Sequence, residues 1–226
     1  AIKHFDLNYI GLDMNVERGG NNQKKFILKP KGSNYSSFEL RHASSGIQTT
    51  APLIAMMNYY AQAFDFKLAQ KRSIIDLLFE KNLTTQYRPE MELTDMPKYV
   101  HIHIEEPELS LDPTSQIQML NEIIRLAFYS KVDSREIGLV LATHSPYIIN
   151  SLNLLMKAHD CKTDIDGAHV GYDDLSVYQI LSGGVADLKV KNIHYVNTDR
   201  LSEDINNIYD KYQELKQLQN EESLGK

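Results

Sequence analysis

The run Tyr99-Val100-His101-Ile102-His103-Ile104, closed by Glu105-Glu106-Pro107, restricts the fold more than any other stretch. A short β-rich run ended by a proline predicts a buried strand. Side chains alternate along a strand, so Glu105 and Glu106 are expected on opposite faces at its carboxyl end. A second apolar run, Ile137 to Ala142, ends in Thr143-His144. Between the two runs, Asp112-Pro113 predicts a helix start, with Asp as N-cap and Pro in the first position. Ile117, Leu120, Ile124 and Phe128 form its expected buried stripe. Pro146 to Met156 predicts the next helix. Strand, helix, strand, helix in this order implies a parallel sheet with right-handed crossovers. Open α/β sheets bind ligands at the carboxyl ends of their strands. Two acids at that place suit holding Mg²⁺ and orienting a water beside a phosphate.

The flanking sequence is of two kinds. Residues 1 to 41 read as β: Phe5 to Ile10 alternates, Phe26-Ile27-Leu28 does so briefly, and Phe38-Glu39-Leu40 makes a third short strand. Gly19-Gly20-Asn21-Asn22 is a turn signal between the first two. Ser44-Ser45-Gly46 opens a helix with Leu53, Met56, Met57, Tyr60 and Phe64 at helical spacing and with Pro52 in an early turn. A serine-rich helix start is an ordinary cap, and also a place where backbone amides attract phosphate. Residues 67 to 81 predict another helix, carrying Leu68, Ile74, Ile75, Leu77, Leu78 and Phe79, and residues 82 to 98 a surface connection. Beyond Asp160, Leu175 to Leu181 and Val185 to Val190 read as strands around a Ser182-Gly183-Gly184 turn. Ile205, Ile208, Tyr209, Tyr212, Leu215 and Leu218 make one face of a terminal helix.

Bulk properties exclude several function classes. A formal net charge of −6 provides no global basic field for nucleic acid. The single Cys161 permits no intrachain disulfide and fits a reducing, cytoplasmic setting. No apolar run approaches membrane-spanning length, so no membrane partner is expected.

Four motifs together resemble those of the ABC-type P-loop ATPases. Four mostly apolar residues followed by Glu105-Glu106-Pro107-Glu108 resemble the Walker B motif, and Leu109-Ser110-Leu111-Asp112 the D-loop after it. Thr143-His144-Ser145-Pro146 resembles the switch-histidine loop, and Ser44-Ser45-Gly46 the signature motif that precedes Walker B. All four stand in the family's order. The resemblance is nearest to the RecF, SMC and OLD-like AAA family ATPases and covers about residues 35 to 160. Leu181-Ser182-Gly183-Gly184 spells the commonest signature more literally, but it lies after the switch histidine and reads as a hairpin turn.

The resemblance implies an α/β P-loop NTPase fold, an ABC-ATPase-like parallel sheet with flanking helices plus an antiparallel amino-terminal β segment. The expected organisation is a β-rich segment at 1–41, an ATPase core at 42–160, and a hairpin and helix of the same domain at 161–226. By the family pattern Glu105 would hold Mg²⁺, Glu106 would polarise the attacking water, and His144 would contact the γ-phosphate. Ser44, Ser45 and Gly46 would reach ATP held by a second subunit of a head-to-tail dimer, and Asp112 would lie at the subunit interface. Glu105 stands where most members carry Asp, and Ile47 where many carry Gln or Glu. No G-x-x-x-x-G-K-[ST] phosphate loop occurs in the sequence. The expectation is therefore the C-terminal part of an ATPase that needs an upstream or partner Walker A lobe for activity, with DNA or an effector protein as a further partner. Two alternatives remain open at this point. One is a non-hydrolytic partner or dimerisation module. The other is a metallohydrolase using His101, His103 and Glu105, although packing is the expected role of the two histidines.

Overall fold

The amino-terminal alternation forms an antiparallel four-stranded sheet in sequence order in the computed structural model: β1 (His4–Leu7), β2 (Leu12–Arg18), β3 (Lys24–Pro30) and β4 (Phe38–Glu39). The structure describes residues 4–18, 23–32, 34–83, 85, 97–190 and 192–224. The expected turn at residues 19–22 and most of the 82–98 connection lie outside them. The chain divides into two compact units, Ala1–Thr143 and His144–Lys226.

In the first unit β1 stops earlier than the Phe5–Ile10 alternation predicts. Asn8–Ile10 is a single 3₁₀ turn closed by Gly11 in the left-handed region. The turn carries Tyr9 inward, where its hydroxyl donates to Thr50 Oγ1 at 2.6 Å. Thr50 in turn donates to the Gly46 carbonyl at 2.8 Å. The sheet is thereby linked to the first turn of helix α1 (Ser45–Asn58). Leu7, Met14 and Leu28 of the sheet and Ala51, Ile54 and Met57 of α1 are fully buried.

Burial pushes the Tyr9 hydroxyl up to about 12, with nearby Glu122 adding to the rise and the Thr50 bond opposing it. The neutral phenol is thus favoured in the fold, and the unfolded chain ionises first. Tyr9 stabilises the fold fully below pH about 10 and loses that contribution as pH climbs towards 12, an effect of about 2–3 kcal/mol. Urea unfolding at about pH 8 and pH 11 checks it: Tyr9→Phe is expected to lose less stability over that interval than the parent. Equal losses would assign the alkaline slope to other groups.

The buried face of α1 is shifted from the expected stripe. Thr50, Ala51, Ile54 and Met57 are inside, while Met56 is exposed. Small and polar residues occupy half of that face, so apolar periodicity alone misplaced it. Pro52 sits in the helix interior, not the first turn. It deprives the Gln48 carbonyl of its helical partner, which is tolerable because both residues face solvent. A five-residue π-turn, Tyr59–Ala63, follows, and then α2 (Phe66–Glu80), capped by Asp65. Within the unit α2 buries only Phe66, and Leu68, Leu77 and Phe79 stay exposed.

The two apolar runs form β5 (Tyr99–Glu105) and β6 (Glu136–Ala142), which pair in parallel from Tyr99↔Glu136 to Glu105↔Ala142. Helix α3 (Pro113–Ile124) crosses between them. Asp112 is its N-cap and Pro113 its first residue, as the sequence predicts. Ile102, Ile104 and Ile137 face the core with Met119, Leu120, Ile123 and Ile124. A π-turn at Arg125–Tyr129 adds a residue to the spiral, so Leu126 and Ala127 turn inward and Phe128, an expected core residue, turns outward. Of the buried or packing role expected for the β5 histidines, burial is not found, while His101 packs edge-on against the Tyr99 ring at 4.4 Å. His101 and His103 are exposed, on the face opposite the isoleucines.

The second unit begins with His144 and α4 (Pro146–Asp160), capped by Ser145, whose Oγ accepts from the Ile148 amide. Ile148, Leu152, Leu155 and Met156 are its buried face. Strands β7 (Tyr178–Leu181) and β8 (Gly184–Asp187) form the expected hairpin, with Gly183 in the left-handed region. Short strands β9 (Lys189–Val190) and β10 (Tyr195–Val196) pair antiparallel, and Asn153 of α4 holds the Val196 backbone through both its amide N–H and its carbonyl. Helix α5 (Asp199–Leu224) ends the described chain, with Ile208, Tyr209, Tyr212 and Leu215 exposed. Among the described residues no helix is long and apolar enough to cross a membrane.

Candidate functional site

The parallel register brings the carboxyl ends of β5 and β6 level. Glu105 pairs with Ala142, and its side chain lies exposed on the face that carries His101 and His103. Alternation stops there. Glu106 adopts a left-handed backbone, φ 45°, so it does not simply continue the pleat to the opposite face as expected. Its N–H donates to the Ala142 carbonyl at 2.8 Å, which carries the ladder one residue past the strand. Pro107 is buried behind it. The loop then curls: Leu109 N–H donates to the Glu106 carbonyl and Leu111 N–H to the Glu108 carbonyl. Ser110 is also left-handed, φ 61°.

Two left-handed non-glycine residues within five positions are a concentration of strain. Each costs roughly 1–2 kcal/mol and persists only where the surroundings impose it. Such clustering is typical of sites where a side chain must be held in a particular direction.

Asp112 ends the loop as a helix cap. One carboxylate oxygen accepts from the Thr114 and Ser115 amides, and the other from the Ser115 hydroxyl. The Ser115 hydroxyl, together with the Ser115 and Thr114 amides, holds its carboxyl below the usual range. That carboxylate is therefore occupied in fixing the loop to α3.

Ser44 caps α1, with its Oγ 3.5 Å from the Ile47 amide, and Ser45 and Gly46 form the first turn. This turn lies directly on the loop. A Cβ built at Gly46 would meet the Ser110 carbonyl oxygen at 2.5 Å and Leu111 Cδ2 at 2.7 Å. Only glycine allows that approach. Two segments more than sixty residues apart, singled out separately in the sequence, are thus in contact. Gly46→Ala tests the contact. Helix propensity alone would stabilise it by up to ~1 kcal/mol, but a backbone oxygen cannot yield as a flexible side chain would. Net destabilisation of about 1–3 kcal/mol is expected from thermal or urea unfolding. A neutral or stabilising result would mean that α1 and the loop are further apart.

The sequence reading missed Glu108 and Thr143 as individual contributors. Thr143 Oγ1 donates to Glu108 Oε1 at 2.7 Å. The acid-rich Glu-Pro-Glu spelling was visible, but nothing in the sequence said which carboxylate would face the end of β6. His144 follows Thr143 directly, as an exposed residue that opens the second unit.

The chain matches no family model, no curated protein and no solved structure.

The alternative metal set is not assembled. The His101 and His103 rings stand 6.2 Å apart in an edge-on arrangement. Among the described residues no group of three His, Cys, Asp or Glu side chains is placed to hold a metal ion. A single exposed carboxylate such as Glu105 does suit Mg²⁺, which takes one or two protein carboxylates and completes its shell with water and substrate phosphates.

Proposed function

We propose that this chain forms part of an ABC-type ATPase of the RecF/SMC/OLD-like group, with a P-loop NTPase fold completed by a lobe that carries the phosphate loop. The observation that carries the reading is the convergence at one strand end. The Glu105–Glu106 carboxylates follow β5, their loop is hydrogen-bonded to the end of β6, and the same loop packs on the amino-terminal turn of α1. The motif order supports it independently.

In this reading Glu105 would hold Mg²⁺, and the metal would supply neutralisation of phosphate charge. Glu106, held in a fixed left-handed backbone, orients a water and accepts its proton. The Ile47 amide is taken by the Ser44 cap, and the Ser45 and Gly46 amides at the start of α1 offer donors to phosphate oxygens. Asp112 shapes the D-loop through its backbone position, since its carboxylate is committed to the cap. His144 senses the terminal phosphate. The proposed assembly is a head-to-tail dimer, or a pair with a Walker A-bearing lobe, in the cytoplasm. DNA or an effector protein is the proposed downstream partner.

Mg²⁺-ATP binding and hydrolysis by the purified chain, alone and mixed with a phosphate-loop lobe, tests the reading. Binding only in the mixture supports a half-site. Turnover by the chain alone would mean that a phosphate cradle exists within it. Binding without turnover in the mixture would favour the non-hydrolytic partner module. No binding under either condition overturns the proposal.

A further inference from the structure

We propose that Glu108 is a positioning residue that clamps the carboxylate loop to the end of β6, so that Glu106 and Thr143 move as one body. The consequence for catalysis rests on the ATPase reading, but the clamp itself does not.

The argument begins with strain. A glutamate at φ 45° and a serine at φ 61° flank Glu108 by two residues on either side. Neither conformation is retained by local preference, so the loop must be held from outside. Among the described residues, ties to the end of β6 include these two. One is backbone: Glu106 N–H to the Ala142 carbonyl at 2.8 Å. The other is side chain: Thr143 Oγ1 to Glu108 Oε1 at 2.7 Å. They attach Ala142, the last residue of β6, and Thr143, the residue after it, to Glu106 and Glu108 of the loop, which prevents rotation as well as translation. Buried Pro107 stiffens the link between the two tied residues. Glu108 is half-buried, unlike the exposed Glu105 and Glu106, which fits a carboxylate used as an internal acceptor. A hydroxyl donating to a carboxylate is one of the stronger hydrogen bonds available to a protein.

Thr143 closes the first unit, so the bond ties the loop that aims Glu106 to the chain segment that leads out of β6. Glu108 therefore does not need to touch a substrate to affect turnover.

Amide hydrogen exchange on the full chain reads the clamp without nucleotide. Thr143→Val and Glu108→Ala are each expected to speed exchange at Glu106, Leu109 and Leu111 roughly ten-fold, with Ile102 in the β5 core unchanged. The double variant is expected to be no faster than either single one, because both remove the same bond. Thr143→Ser and Glu108→Gln keep donor and acceptor and should restore slow exchange. Unchanged exchange in the single variants, or additive effects in the double variant, overturns the clamp. With a phosphate-loop lobe and Mg²⁺-ATP, Thr143→Val should lower kcat with KM held, and Thr143→Ser should recover it. Fast exchange with an unaltered kcat would leave a structural tie only and overturn the positioning role. Absence of turnover in the parent protein would count against the ATPase reading, while the exchange result would still decide the clamp.

Discussion

On the proposed ATPase reading, Glu106→Gln is expected to reduce ATP turnover by about 10²–10⁴-fold while leaving nucleotide binding intact. The substitution preserves size and hydrogen-bonding reach, and it leaves the left-handed backbone at this position unaltered. It removes the negative charge and the ability to accept a proton from the attacking water. Single-turnover hydrolysis and equilibrium binding of a fluorescent nucleotide, in the presence of the phosphate-loop lobe, separate the two effects. A companion substitution separates chemistry from stability. Glu106→Gly relieves a left-handed penalty of roughly 1–2 kcal/mol and costs roughly 0.5–1 kcal/mol in chain entropy. On these backbone terms alone it is expected to melt at or above the parent temperature, and on the proposed reading it is equally inactive. Wild-type turnover by Glu106→Gln would remove this residue from the chemistry and leave Glu105 or Glu108 as the carboxylate to examine.

Arg135→Ala is expected to destabilise the fold strongly. Arg135 is 3% exposed, between α3 and β6 in sequence, and it reaches back to the end of the first long helix. Its guanidinium donates to the Tyr60 carbonyl at 2.7 Å and to the Phe64 carbonyl at 3.4 Å. It also pairs with Asp133 at 3.2 Å and lies over the Phe66 ring. The π-turn at residues 59–63 leaves carbonyls at the helix end without regular partners, and Arg135 satisfies them from a distant part of the chain. Asp133 is 55% exposed, so the loss comes chiefly from two carbonyls deprived of their donor, about 1–3 kcal/mol each, and from packing on Phe66; together this is about 3–5 kcal/mol, a large share of the 5–15 kcal/mol that holds most domains together. The site borders an open cleft of about 370 Å³ lined by Phe64, Phe66, Lys98 and Asp133 among others, so water entering it places the expected loss nearer 3 than 5 kcal/mol. Urea midpoints for Arg135→Ala and Arg135→Lys provide the check. Lysine cannot reproduce the planar fork and should recover only part of the loss. A loss below about 1 kcal/mol would show that water alone satisfies the carbonyls.

Local signals in the sequence were sufficient for much of the fold. Asp112-Pro113 starts α3 where a cap and an N1 proline should, and Ser145-Pro146 does the same for α4. The parallel pairing of β5 with β6 followed from two apolar runs separated by a helix. The Ser182-Gly183 hairpin was legible because turn chemistry is short-ranged. Errors arose where a distant contact overrode a local pattern. The π-turn at 125–129 carried Phe128 off the expected stripe and exposed it. Burial of Tyr9 against Thr50 ended β1 at Leu7.

The candidate site divides in the same way. Sequence alone determined which residues are available: the Glu105-Glu106-Pro107-Glu108 run, the Ser44-Ser45-Gly46 helix start and Thr143-His144, each recognisable from residue type and order. Only the tertiary structure decided how they are used. It turned Glu106 out of the β pleat, placed Gly46 against the Ser110 carbonyl, and set Glu108, from among the neighbouring carboxylates, on Thr143. The reason is physical. Caps, turns and strand runs depend on neighbours a few residues away, whereas a left-handed glutamate and a close backbone approach exist only when separate elements are packed together and hold them there.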